Sequence, residues 1–151
     1  MTREIHIQGT GTNPARQAQR MLEERGDELL AELAPKVALA ADLHLRLGDR
    51  EEARETLIAY CTRQLVRHLL ATDRVLYSVA AGAAETRLLV RALRAQHDLV
   101  ATRIAELTRA DSSAEVAASA HALVGLLEVR HHVERQVCTR CCARICSTGY
   151  R

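Results

Sequence analysis

The stretch Val116-Ala-Ala-Ser-Ala-His-Ala-Leu-Val-Gly-Leu-Leu-Glu-Val-Arg-His-His-Val-Glu-Arg-Gln-Val137 decides how this chain folds. Apolar residues recur in it at steps of three and four: Val116, Ala120, Leu123/Val124, Leu127 and Val137/Cys138, continuing to Cys141. That period is the stripe of an amphipathic helix facing a core. Arg130/His131 and Glu134 interrupt the stripe where further apolar residues belong. Polar groups aimed at a core are costly unless something pairs with them. What pairs with them is therefore the functional question.

The rest of the chain repeats the pattern. Residues 1–13 carry Gly9, Gly11 and several threonines and are expected to be a flexible arm. Asn13-Pro14 resembles an N-cap followed by proline at the first helical position. A first helix is expected over residues 14–47, with Met21/Leu22, Leu29, Leu33, Val37, Ala40 and Leu47 inward. Pro35 is expected to kink or break it. Gly48-Asp49 is expected to close that helix and cap the next. A second helix is expected over 50–80, with Leu57, Cys61, Leu65, His68/Leu69, Thr72, Val75/Leu76 and Val79 inward. A third is expected over 84–110, with Leu89, Leu93, His97, Val100, Ile104 and Leu107 inward. Ser112 and Glu115 form a capping box that starts the fourth, expected from Ser113 to Ile145, with a frayed tail over 147–151. Four long helices with short connections imply an all-α, antiparallel up-down-up-down four-helix bundle over residues 14–146.

Composition narrows the class. At 151 residues one domain is the default. Aromatics make up only 2%, with no Phe or Trp, so Ala and Leu must fill the core. The net charge of +2, with bases and acids interspersed, implies neither a nucleic-acid nor a membrane surface. No apolar run approaches the ~18–20 residues of a membrane span. The N-terminal stretch is polar, unlike a signal peptide, which points to the cytoplasm.

Three groups of residues could carry chemistry. His68 and His97 fall on the apolar stripes of their helices, and His131, Arg130 and Glu134 lie on the fourth. Bundles build metal sites from histidines and carboxylates projecting inward from facing helices, so His68, His97, Glu134 and His131 are candidate metal ligands. The competing arrangement is a buried polar layer. In it Arg130 pairs with Glu134, four residues on, while His68 and His97 bond each other or water. Cys138, Cys141, Cys142 and Cys146 share one broad helical face. They suggest core or tolerated thiols, redox-active thiols helped by Arg140 and Arg144, or a soft-metal site. His6, His44, His121 and His132 read as surface groups, and Tyr60 and Tyr77 as ordinary packing residues.

Three segments together resemble the hemerythrin-like, HHE cation-binding domains of bacteria. They are His68-Leu-Leu-Ala-Thr-Asp-Arg-Val-Leu-Tyr77, Thr86-Arg-Leu-Leu-Val-Arg-Ala-Leu-Arg-Ala-Gln-His97 and Leu127-Glu-Val-Arg-His-His-Val-Glu134. The family's second helix typically reads His-x-x-x-Glu-Glu-x-x-Leu-Tyr, its third carries Glu-His, and its fourth His-x-x-x-Glu. The likeness covers about residues 20–138. It implies a four-helix bundle with a central non-haem di-iron site that binds or senses oxygen or nitric oxide, handles iron, or acts on peroxide.

The departures from the pattern fall on the ligand positions. His68 and His97 match ligands. Thr72 stands at the bridging glutamate, Asp73 at the second acid, and Gln96 replaces the glutamate before His97. Arg25-Gly-Asp-Glu-Leu29 resembles a segment that usually reads His-His-Arg-Glu-Leu, which puts Gly26 at a ligand position. In the fourth helix the stripe puts Arg130 at the histidine and Glu134 at the carboxylate. A shift of two would put His132 and Gln136 there. Arg130 is a permanent cation that would repel iron and neutralise Glu134, whereas His131 could supply a ligand by turning inward.

Three functions follow as expectations. The first is non-catalytic binding or sensing, with a weak or mononuclear iron site or none, of a metal ion or small diatomic ligand. The second is a metal-free scaffold with Arg130 filling the old site, open to a protein partner or a homodimer. The third is thiol or soft-metal chemistry at the C-terminal cysteines.

Overall fold

The computed structural model describes residues 14–147; of residue 15, residues 138–139 and residues 141–147 only the backbone is described. The expected N-terminal arm and the last four residues of the tail lie outside the described residues. Among the described residues the chain is all-helical, with four helical rods and no strand. We label them α1 (Pro14–Ala40), α2 (residues 47–80), α3 (Ala84–Arg109) and α4 (Ser113–Ser147). α1 packs on α2 and α4, and α3 packs on α4 and α2.

The first helix ends earlier than its periodicity suggested. It stops at Ala40, and Leu47, expected inside it, opens α2 at 80% exposure. The turn between them is held by side chains. Asp42 Oδ1 accepts the His44 N–H at 2.8 Å, a local bond that competes with helix. Arg50 reaches back to the Leu43 and Leu45 carbonyls at 2.9 and 2.8 Å. Gly48 and Asp49 are thus not the junction but the first turn of α2, whose N-cap Arg46 makes no capping bond. Pro35 does not break α1, which runs through it. The Lys36 ammonium donates to the Glu32 carbonyl at 3.2 Å, beside the Ala31 carbonyl that proline leaves without its helical donor. The capping box forms as expected: Glu115 accepts the Ser112 N–H at 3.1 Å, and Ser112 Oγ accepts the Glu115 N–H at 3.2 Å.

α2 contains two π-helical turns, Cys61–Leu65 and Asp73–Tyr77. Its buried residues explain the first. Ala53, Leu57, Cys61, Leu65 and Leu69 follow at steps of four. Each such step overshoots an α-turn by about 40°, so four in succession would swing the stripe out of the core. A wider π turn absorbs the extra residue. The second π turn shifts the phase again. Val75 and Val79, expected inward, are 39% and 56% exposed, and Tyr77 and Ala80 are fully buried in their place.

Two apolar clusters result. The larger runs from Leu33 and Val37 through Leu57, Leu65 and Leu69 to Val100, Leu107, Leu123 and Leu127. The smaller joins Leu76, Tyr77, Ala80, Val90, Leu93 and Val137. Along α3 and α4 the chain passes from one cluster to the other through His97 and through Arg130 and Glu134. The polar residues thus form a layer between two apolar ones.

Candidate functional site

Arg130 is the largest fully buried side chain described, at 1% exposure, and its partners define the layer. Its Nε donates to Glu134 Oε1 at 3.0 Å, one turn along α4. Nη1 donates to the Leu93 carbonyl of α3 at 3.0 Å. Nη2 donates to the Tyr77 hydroxyl of α2 at 2.7 Å and meets His97 Nε2 at 2.6 Å. A guanidinium only donates, so His97 Nε2 accepts and the ring is the neutral Nδ1–H tautomer. The Tyr77 hydroxyl in turn donates to Glu134 Oε1. Four of the five guanidinium N–H groups are thereby engaged, and three helices are tied to one side chain. The guanidinium also lies 5.6 Å from the centre of the Tyr77 ring, which stacks on His97 at 6.1 Å and 29°.

A second bridge joins α4 to α1. His131 Nε2 meets Asp27 Oδ1 at 2.8 Å, and Arg135 reaches the same oxygen at 3.4 Å. The His131 ring lies directly over Gly26. A Cβ at that glycine would sit 2.5 Å from Cε1 and 2.7 Å from Nδ1 of the ring, closer than atoms can approach. Gly26 therefore gives its space to His131.

The charges are set by these contacts. The neighbouring Glu134 carboxylate and the Asp27 bond raise the His131 pKa above the ordinary histidine value, against burial. Burial lowers those of His68 and His97, with the Arg130 charge adding to the effect at His97, so both are held neutral. Burial pushes Glu134 upward, but His131, Arg130 and Tyr77 outweigh it and hold the carboxyl below its usual range. Burial raises the Tyr77 hydroxyl, keeping it protonated.

The expected site residues separate into groups. His97 and Glu134 both serve Arg130. His131 serves Asp27, with Nδ1 3.9 Å from Glu134 Oε2. His68 lines a cavity of about 20 Å³ with Glu134, His131, Tyr60 and leucines of α1, α2 and α4, and its ring makes no hydrogen bond to a described residue. The expected His68–His97 bond is thus replaced by the Arg130 contact to His97. Thr72 is buried with its hydroxyl on the His68 carbonyl at 2.9 Å, and Asp73 pairs with Arg94 at 2.7 Å. Among the described residues no group of three or more His, Cys, Asp or Glu side chains is arranged to hold a metal ion. The candidate set does not fit iron as it stands, because the Arg130 guanidinium occupies both Glu134 and His97.

His132 and Gln136, the alternative pair, are exposed and bonded to each other at 3.0 Å. His44 and His121 are exposed as expected; His6 lies outside the described residues. The side chains of Cys138, Cys141, Cys142 and Cys146 also lie outside them. Cys61 is buried in the main core, its thiol pushed up to about 12 by burial and so unreactive.

Tyr77, expected to be a packing residue, is central to the layer. Nothing in its spacing signals this, because the second π turn brings it inward. Tyr60 is likewise more than packing, its hydroxyl donating to the Leu29 carbonyl at 3.2 Å or to Glu32 at 2.9 Å. Asp27 also joins the site, and its place beside Gly26 is the one sequence signal that marks it. No protein-family model, curated protein or solved structure matches the chain.

Proposed function

We propose that this chain is a hemerythrin-like, antiparallel up-down-up-down four-helix bundle in which Arg130 takes the place of the metal. The protein acts as a metal-free binding scaffold and not as an enzyme. One observation carries this reading: the Arg130 guanidinium binds Glu134 and His97, two of the four candidate ligands, at 3.0 and 2.6 Å. A cation that stands between facing helices, donates to each and neutralises the carboxylate does the structural work of an ion without an open coordination position. The resemblance of the His68, His97 and Glu134 segments to the family supports the bundle. The pairing of α1 with α2 and α4, and of α3 with α2 and α4, suits that topology.

The test is the metal content and visible spectrum of protein expressed in iron-rich medium. The scaffold reading expects far less than one iron per chain and no oxo-bridged iron absorption. Stoichiometric iron that survives dialysis, with that absorption, would overturn it in favour of metal-dependent binding or sensing.

A further inference from the structure

We infer that the half-open cavity between α1, α2 and α4 is a hydration site, holding one ordered water that joins His68 to His131 and Glu134. The cavity is lined by leucines of all three helices, Leu29, Leu33, Leu65, Leu69 and Leu127 among them, together with His68, His131 and Glu134. Its volume is about 20 Å³. A buried water needs roughly 10–15 Å³ and two to four polar partners. Three partners face this space. The half-buried His68 ring has no described hydrogen-bond partner, although an imidazole always offers at least one donor. His131 Nδ1 and Glu134 Oε2 form an ion pair at 3.9 Å, too far for a direct hydrogen bond, and one oxygen beside them can bond both.

The surroundings also select against other occupants. Arg130 already uses four of its five N–H groups on Glu134, Leu93, Tyr77 and His97, and the Glu134 carboxylate beside it would repel an anion. A cation would meet the Arg130 charge. A space of about 20 Å³ takes little more than one water. The occupant is therefore neutral, water-sized and able to donate and accept at once.

High-resolution diffraction from crystals of the full chain, with oxygen-17 relaxation dispersion of water in solution, tests the site. The expected result is ordered density within hydrogen-bond distance of His68, His131 and Glu134. In solution, one long-lived water per chain should disappear in His68→Leu and persist in His68→Gln, whose amide keeps a polar partner. A cavity without density, or the same number of long-lived waters in all three proteins, would overturn the hydration site while leaving the metal-free scaffold standing. An anomalous metal peak at that position would overturn both.

Discussion

Leu57 and Arg130 are equally buried, yet they hold the protein together in different ways. Leu57 sits in the larger cluster among Leu33, Leu65, Leu107 and Leu123, where burial of apolar surface is non-directional. Arg130 sits between the two clusters, where Glu134, Tyr77, His97 and the Leu93 carbonyl each answer one of its donors. A leucine core tolerates a neighbour of similar size. A charged layer tolerates the removal of the whole set better than the removal of one member, because a lone partner stays buried and unpaired.

The largest effect should come from breaking that layer on one side. Glu134→Ala strands the Arg130 charge and should cost about 3–5 kcal/mol in urea unfolding. Removing the whole set, Arg130→Leu and Glu134→Leu together with Tyr77→Phe and His97→Leu, should recover most of that loss. If removing the whole set costs as much as Glu134→Ala or more, the layer is not a unit. In the apolar region Leu57→Ala should cost about 2–5 kcal/mol through transfer and cavity terms. Leu57→Met should stay under about 1.5 kcal/mol, and an equal loss for both would show that shape there is as demanding as in the layer.

Gly26→Ala sharpens the contrast at a third point. Alanine normally stabilises a helix over glycine by about 1 kcal/mol, but here the new methyl meets the His131 ring. The expected net effect is a loss of about 1–3 kcal/mol from overpacking. Repeating the change in a His131→Ala background should turn the loss into a gain. A loss of equal size in both backgrounds would remove His131 as the cause.

The smallest effect is in pH. His131 has a raised folded-state pKa, so its contribution is complete below the unfolded value of about 6.5 and is lost as pH rises through the folded value. His68 and His97 have lowered values; their contribution is present above about 6.5 and is lost as pH falls through their folded values. The stability difference between the wild type and His131→Asn should therefore shrink as urea unfolding is carried from about pH 5.5 to about pH 8.5. A difference that widens over that range would sink the assignment of His131 as the charged partner of Asp27 and Glu134.

Much of this was legible in the residues. The four-residue spacing of Arg130 and Glu134 on an apolar stripe offered a buried ion pair as one of two arrangements, beside a metal site, and the capping box at Ser112 and Glu115 marked the start of α4. Other features were hidden because they depend on phase or on space. Val79 and Tyr77 are two residues apart, and only the π turn over Asp73–Tyr77 settles which of them faces the core. Leu47 fits the first helix by period, but Asp42 and Arg50 close the chain before it arrives. Gly26 looked like a missing side chain, and proves to be the floor on which the His131 ring rests.

The sequence by itself determined that the chain is helical, where most helices run, which faces are apolar, and that Arg130 and Glu134 belong to the interior. Those properties follow from local spacing and helix propensity. The tertiary structure alone decided that Arg130 binds His97 and Tyr77, that His131 turns to Asp27, and that His68 is left facing a small cavity. Partners on different helices are chosen by how far each rod is rotated, and rotation is settled only when all four pack together.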